Sequence, residues 1–195
     1  MKILRPCLVL TAALLALCCA LYPAAVTALA QGMFPRRADG SLVVRDGRVR
    51  GSSLLGQTFA HPEAHPEYFW GRPSAASVDP ATGVTVSSGS NLGPLSPALR
   101  DAVAARVAAL RATGVTGAVP VDLVTASASG LDPHLSPAAV DVQVPRVARA
   151  RGMSPDVVRA MVRANTEGPT LGLLGAPRVN VLALNLALDD RGVSR

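Results

Sequence analysis

The longest apolar run in the sequence lies at its N-terminus. No charged side chain occurs between positions 6 and 35, and residues 8–30 are nearly all apolar. A helix over these residues rises roughly 35 Å, enough to cross a hydrocarbon layer of about 30 Å. The pattern therefore predicts a short cytoplasmic N-terminus at 1–7, a transmembrane helix at 8–30 and one extracytoplasmic domain at 31–195.

A cleaved signal peptide is the alternative interpretation of this run. Lys2 and Arg5 precede it, and Ala28-Leu29-Ala30 has the small residues of a cleavage site. The apolar stretch is, however, longer than the roughly 7 to 15 residues of a signal core, which favours an uncut anchor.

The charges beside the span predict its orientation only weakly, because Lys2 and Arg5 nearly balance Arg36 and Arg37. A long domain that follows a span can translocate largely regardless of charge. We therefore expect the N-terminus in the cytoplasm and the domain outside the cell membrane.

Turn and cap residues divide the rest of the chain into elements. Two extended stretches, Ser41–Val44 and Val49–Phe59, flank an Asp46-Gly47 turn. Residues 61–95 are rich in Pro, Gly and Ser and predict mostly ordered loop or short pieces of regular structure. Three helices are predicted after it, because each of three serines is a good N-cap before a proline that suits the first helical position. These pairs are Ser96-Pro97, Ser136-Pro137 and Ser154-Pro155.

The second of these helices contains Pro145, which should split or kink it near Gln143. Strands are predicted at Val119–Thr125 and at Arg178–Leu188, the latter long and terminal. The order β-β-loop-α-β-α-α-β predicts an α/β (α+β) domain, with a small sheet covered by about three helices.

Composition narrows the chemistry of the domain. All three cysteines lie in or beside the apolar run, and Lys2 is the only lysine, so the domain has no disulfide, thiolate metal site, lysine nucleophile or P-loop of the Gly-Lys-Ser/Thr kind. Without Lys2 and Arg5, the 19 basic residues become 17 against 13 acidic ones. This surplus is mild and no aromatic residue follows Trp70, so nucleic-acid binding is not expected.

Individual motifs give little sign of catalysis. His61 and His65 are four residues apart and would share one face of a helix, where both could bind one metal ion. Pro62 and Pro66 are incompatible with such a helix. The run 87–94 has the glycines of either an anion cradle or a structural turn.

The residue types of a catalytic Ser-His-Asp triad are also present: Asp132 and His134 lie close in sequence to Ser127 and Ser129. The segment lacks the Gly-x-Ser-x-Gly nucleophile elbow, however. We predict no catalytic residue and no metal ligand.

Two further groups favour contacts rather than chemistry. Tyr68-Phe69-Trp70 precedes Arg72, and such aromatic and Arg side chains are the usual anchors of interfaces, although a core role is equally compatible. Asn180 and Asn185 on the last predicted strand are more typical of buried hydrogen-bonding groups than of ligands.

Several of these stretches, in this order, resemble the C subunit family of the bacterial potassium-transporting Kdp ATPase. The motifs span nearly the whole domain: Gly56-Gln57-Thr58-Phe59, YFWGRPSA at 68–75, SNLGP at 90–94, VDLVTASASGLDPHLSP at 121–137, RVARARG at 146–152, Thr166-Glu167-Gly168 and RVNVLALNLALD at 178–189.

The resemblance implies an accessory subunit of a P-type potassium-uptake complex. Its partners would be a potassium-selecting subunit and an ATP-hydrolysing subunit, with membrane lipid around residues 8–30. No cofactor is expected on this chain beyond ATP reached through the complex. The family is also described as a catalytic chaperone that raises the pump's affinity for ATP. The alternatives are a directly nucleotide-binding regulator and a secreted hydrolase.

Candidate site residues follow from the motifs and the resemblance together. The resemblance puts Gln143 in a region that could contact nucleotide. Six residues are candidates for the partner interface: Phe69, Trp70, Arg72, Asn91, Asp132 and His134.

Overall fold

In the computed structural model, which describes residues 3–57 and 65–192, the chain divides into two units, residues 1–52 and 53–195. The first unit contains the apolar helix and a hairpin. The second contains the helices, the small sheet and the core.

The apolar run forms one continuous helix, Leu4–Met33, whose mean hydropathy of 2.2 makes it long and apolar enough to cross a membrane. It consists of α1 (Leu4–Leu15), a π-helical segment (Ala16–Leu21) and α2 (Tyr22–Met33). In the π segment the N–H of Tyr22 donates to the carbonyl of Leu17, five residues earlier. This wider turn comes just before Pro23, which has no N–H and would clash with the carbonyl of Cys19 in a regular α-helix.

A short helix and a hairpin complete the first unit: α3 (Pro35–Ala38), β1 (Leu42–Arg45) and β2 (Arg48–Ser52). The strands are antiparallel, and Asp46 and Gly47 both have positive φ, as a tight two-residue hairpin turn requires. The strand-turn-strand prediction is confirmed. The second strand ends at Ser52, and Phe59, to which it was expected to extend, lies outside the described residues.

The second unit is a mixed helix and small-sheet domain, as predicted. Its elements are β3 (Ser77–Val78), β4 (Thr85–Val86), α4 (Pro97–Ala112), a 3-10 helix (Val121–Leu123), β5 (His134–Leu135), α5 (Pro137–Asp141), α6 (Val144–Arg151), α7 (Pro155–Ala164), β6 (Thr166–Glu167), β7 (Arg178–Asn180) and α8 (Val181–Gly192). Strands β3 and β4 form a hairpin, and the other three form an antiparallel sheet in the order β5-β7-β6.

The three Ser-Pro pairs each begin a helix, as predicted. Ser136 accepts a hydrogen bond from the N–H of Ala139, and Ser154 accepts one from the N–H of Val157. Ser96 precedes α4 in an extended conformation without a side-chain cap. Pro145 splits the second helix as expected, because α5 ends at Asp141 and Pro145 lies in the first turn of α6.

Two predicted strands are wrong. Val119–Thr125 contains the 3-10 helix instead, and the buried carboxylate of Asp122 accepts a hydrogen bond from the N–H of Ser136. The terminal strand ends at Asn180, because the side chain of Asn180 accepts from the N–H of Ala183 and so caps α8.

Beyond Asn180, the buried positions follow a helical period: Val181, Leu182, Leu184, Asn185 and Leu188. The second unit therefore carries five α-helices among its described residues, whereas about three were expected to cover the sheet.

The core lies where α5, α6, α7 and α8 meet the sheet. Its fully buried large side chains include Phe69, Leu135, Val147, Val158, Val179 and Leu184. Phe69 belongs to no regular element, so a loop segment contributes to the centre of the domain.

Candidate functional site

The segment Tyr68–Arg72 is held in the domain interior by two side-chain amides. The N–H of Phe69 donates to Oδ1 of Asn185 at 2.8 Å, and Nδ2 of Asn185 donates to the carbonyl of Phe69 at 2.9 Å. Gln143 holds Trp70 in the same way: the N–H of Trp70 donates to Oε1 of Gln143 at 2.9 Å, and Nε2 of Gln143 donates to the carbonyl of Trp70 at 3.2 Å. Each amide thus satisfies both backbone groups of one residue, as a neighbouring strand would.

Gln143 has no hydrogen-bonding capacity left. Its side chain is 0% exposed, its Nε2 also donates to the carbonyl of Ala139 at 3.1 Å, and its Oε1 also accepts from Arg146 at 2.7 Å. With two bonds at each end, the amide is saturated. Contact between Gln143 and a nucleotide remains a prediction, and in this conformation no atom of the amide is free to make it.

Arg146 completes this cluster and was not singled out by the sequence. Its guanidinium lies 3.5 Å from the centre of the Trp70 ring and donates to the carbonyls of Pro66 and Tyr68 at 2.6 Å and 2.9 Å. Burial lowers the pKa of Arg146 to about 10, so it remains a cation at neutral pH. Arginine suits this position because its planar guanidinium can stack on the Trp70 ring and donate several hydrogen bonds at once.

A second arginine joins the same segment to α8. Arg151 donates to the carbonyl of Glu67 and to Asp189, each at 2.7 Å, and its guanidinium lies 4.9 Å from the Tyr68 ring centre. Tyr68 donates to the same carboxylate at 3.2 Å. Burial and the neighbouring carboxylate of Asp189 raise the pKa of Tyr68 above its ordinary value.

Arg72, Asp132 and His134 lie together at a polar cleft beside this segment. Nη1 of Arg72 is 3.2 Å from Oδ2 of Asp132. The other carboxylate oxygen accepts from the N–H of His134 at 3.0 Å and lies 3.3 Å from its Nδ1. The Nε atom of Arg72 is buried without a hydrogen-bond partner.

The cleft itself is small, about 20 Å³, and its lining includes Gly56, Gly71, Ser127 and Gly130. One water needs roughly 10–15 Å³, whereas pockets for small-molecule ligands measure roughly 300–1,000 Å³. The cleft therefore has room for about one water and none for a nucleotide.

The residues weighed for a catalytic triad do not assemble into one in the part of the chain that the structure describes. There, neither Ser127 nor Ser129 is hydrogen-bonded to His134; the two serines face each other at 3.5 Å, and Ser129 accepts from the N–H of Leu131. Of the histidine pair considered for metal binding, His61 lies outside the described residues and His65 is 3.2 Å from Glu67.

The glycine run at 87–94 packs against the loop at 127–132. The N–H of Ser88 and the hydroxyl of Ser87 both donate to the carbonyl of Ser129. A Cβ on Gly89 would lie 2.7 Å from the carbonyl oxygen of Ala128, so glycine is required by this close approach. The structural-turn interpretation accounts for the run. Asn91 is exposed and has a φ of 50°.

The six candidate interface residues thus differ in how deeply they are buried. Phe69 and Trp70 are buried in the core, Arg72, Asp132 and His134 are partly buried around the cleft, and Asn91 is exposed. The expectation that Asn180 and Asn185 are buried hydrogen-bonding groups is confirmed. Arg146, Arg151 and Asp189 were missed, although the arginine-rich run 146–152 was a signal for the two arginines.

Comparison with known proteins identifies the family. Residues 4–190 match the sequence model of the family described as K⁺-transporting ATPase, c chain. A potassium-transporting ATPase KdpC subunit from Variovorax paradoxus is 56% identical over 100% of this chain and 99% of its own length.

Proteins of the same name from Sorangium cellulosum and Geobacter sulfurreducens are 61% and 51% identical. They cover 95% and 97% of this chain, and the matches cover 96% and 98% of their own lengths. The motif-based resemblance is confirmed, and the chain belongs to the KdpC family, the c chain of the K⁺-transporting ATPase.

Proposed function

We propose that this chain is a non-catalytic accessory subunit that is anchored by one membrane helix and assembles the other subunits of the K⁺-transporting ATPase. Its partners are a potassium-selecting subunit and an ATP-hydrolysing subunit. The observation that carries the proposal is the combination of an uninterrupted apolar helix, Leu4–Met33, with a domain whose conspicuous polar residues are used internally.

In the proposed topology residues 1–7 are cytoplasmic, residues 8–30 span the membrane and residues 31–195 are extracytoplasmic. Among the described residues one helix is long and apolar enough to span a membrane, and one helix encloses no ion pathway, which supports the accessory role. The placement of the domain is proposed because a long domain after a span can translocate largely regardless of charge. The domain then lies across the membrane from cytoplasmic ATP.

An effect on ATP affinity would therefore act at a distance. The amide of Gln143 is saturated and the polar cleft has room for about one water, which supports coupling through the partner subunits over direct contact at either of these two places. In such coupling, the factor by which this subunit raises ATP affinity equals the factor by which ATP strengthens its own association. The reciprocity holds for either mode of action, so ATP binding by the isolated chain distinguishes them: a nucleotide-binding regulator would bind ATP when isolated, and the subunit proposed here would not.

The topology can be tested by cysteine labelling in cells that make the whole complex. The native cysteines, at positions 7, 18 and 19, are replaced by serine, and Leu95, which is 97% exposed, is replaced by cysteine. A membrane-impermeant maleimide should label Leu95→Cys in intact cells. Labelling only after permeabilisation would contradict the proposal and favour the cytoplasmic regulator.

The assembly role can be tested by deletion. Cells that lack the chain should fail to grow at low potassium and should yield no intact complex on purification, and the full-length chain should restore both. Normal growth together with normal assembly would contradict the accessory role. A mature protein that begins at Gln31 would instead indicate a cleaved signal peptide.

A further inference from the structure

The turn between β6 and β7 exposes three leucines within four residues. Residues 168–177, here named the leucine turn, carry no charged side chain. Leu171 and Leu173 are each 87% exposed and Leu174 is 63% exposed. Single exposed leucines are normal on soluble proteins, but a group of them indicates a surface that is covered by something else.

The leucine turn is a built structure. Thr170 and Leu174 exchange backbone hydrogen bonds at 2.8 Å and 2.9 Å, and the N–H of Gly172 donates to the carbonyl of Pro169. Leu171 has a φ of 56°, a left-handed conformation that leucine rarely adopts. The backbone is thus held in a strained conformation while the leucines stay exposed, and such strain is concentrated at functional sites.

An open groove of about 660 Å³ adjoins the leucine turn. Pro137, Ala138 and Val162 contribute apolar lining. Gly168 and Pro177, the first and last residues of the leucine turn, also line it. Groove and turn are therefore continuous and together offer both a concave and a projecting apolar surface.

The charges at the groove favour a partner with a carboxylate. Among the lining residues, Arg159 is neutralised by Asp141 at 3.3 Å. Its second partner, Asp156 at 3.3 Å, does not line the groove. Arg163 also lines the groove, is exposed, and has no ion-pair partner in the part of the chain that the structure describes. It leaves a positive charge beside an apolar surface.

We propose that the groove and the leucine turn form one docking surface for an apolar, carboxylate-bearing segment of another subunit of the K⁺-transporting ATPase. The proposal rests on the accessory function above and adds its contact surface. This surface is separate from the six candidate interface residues of the sequence. A shaped groove with one unpaired cation fits a protein segment better than a fluid lipid layer does, because a groove selects a partner by shape and charge.

Photocrosslinking in membranes that contain the whole complex tests the contact directly. A photoreactive phenylalanine analogue is placed at position 173, and the matched control carries it at position 95, where the leucine is 97% exposed. Position 173 should crosslink to another ATPase subunit at least about tenfold more than position 95. Crosslinking to lipid only, to a second copy of this chain, or equally from both positions would overturn the proposal.

Co-purification supplies an independent measurement. The double variant Leu171→Ser/Leu173→Ser should reduce recovery of the other subunits about tenfold relative to Leu95→Ser, with an unchanged Tm of the variant chain. Arg163→Glu should weaken association most at low ionic strength. Recovery equal to that of Leu95→Ser would overturn the docking surface. If the unmodified chain itself fails to recover the other subunits, the accessory function fails instead.

Discussion

Of two apolar loop segments in the domain, one is buried and the other is exposed. Phe69 and Trp70 are buried, and amides from α8 and from the start of α6 satisfy their backbone groups. The leucine turn is just as apolar but satisfies its backbone internally and leaves its side chains exposed. The contrast shows that hydrophobicity alone does not bury a loop, because its backbone polar groups must also find partners in the interior.

The largest effect should come from removing the amide that holds Trp70. Gln143→Ala leaves the backbone groups of Trp70 unpaired, removes one of the three hydrogen bonds of the Arg146 guanidinium and creates a cavity, so we expect a loss of about 3–5 kcal/mol. For a domain of this size the Tm should fall by about 10 °C, measured on the full chain in detergent. Leu95→Ala is the control and should leave the Tm unchanged. A fall of less than about 3 °C for Gln143→Ala would show that the amide does not hold the segment.

Substituting two glycines separates the cost of backbone strain from the cost of a steric clash. Gly130 and Gly172 both have positive φ, 68° and 76°. A Cβ on Gly130 would lie 2.6 Å from the carbonyl oxygen of Ser88, whereas nothing lies within 4 Å of one on Gly172. Gly172→Ala should cost about 1 kcal/mol from strain alone, and Gly130→Ala at least about 2 kcal/mol more. Equal losses in denaturant unfolding would mean that the two loops are equally free of contacts.

Asn185→Asp tests the second amide through its pH dependence. The new carboxylate still accepts from the N–H of Phe69, but its other oxygen faces the carbonyl of Phe69, to which Nδ2 of Asn185 donates in the parent chain. We therefore expect the free energy of unfolding to fall by about 2 kcal/mol at pH 8. Burial should raise the folded-state pKa of the new carboxyl above its unfolded value of about 3.9. The folded state then binds more protons, so the deficit relative to the parent chain should shrink as pH falls from 8 to 5. A deficit independent of pH would contradict the assigned hydrogen bonds.

The smallest effect on stability should come from the leucine turn. Leu173→Ser removes an exposed side chain, so the free energy of unfolding of the isolated chain should change by less than about 0.5 kcal/mol. Leu95→Ser is the matched control. A loss above about 2 kcal/mol would mean that Leu173 packs within the domain, and the contrast between the two segments would disappear.

Local signals in the sequence predicted the elements that depend on local chemistry. The apolar helix, the Asp46-Gly47 turn, the Ser-Pro helix starts and the break at Pro145 all follow from a few adjacent residues. The terminal helix was missed because apolar residues in the run after Arg178 partly alternate with polar ones, as in a strand. The cap formed by Asn180 was the overlooked signal.

The candidate site was less predictable because its contacts join distant positions. Gln143 meets Trp70 from 73 residues away, and Asn185 meets Phe69 from 116 residues away. No spacing rule connects such pairs in a single sequence. The aromatic segment was recognised as a site of contacts, but the core and interface interpretations were separated only by its burial.

Labelling one residue under two conditions tests both the proposed topology and the proposed docking surface. Leu173→Cys, in a chain whose three native cysteines are serine, is treated on intact cells with a membrane-impermeant maleimide. We predict labelling without permeabilisation when the chain is produced alone, and protection when the other ATPase subunits are produced with it. Labelling that requires permeabilisation would contradict the proposed topology, and labelling that is equally strong within the assembled complex would contradict the docking surface.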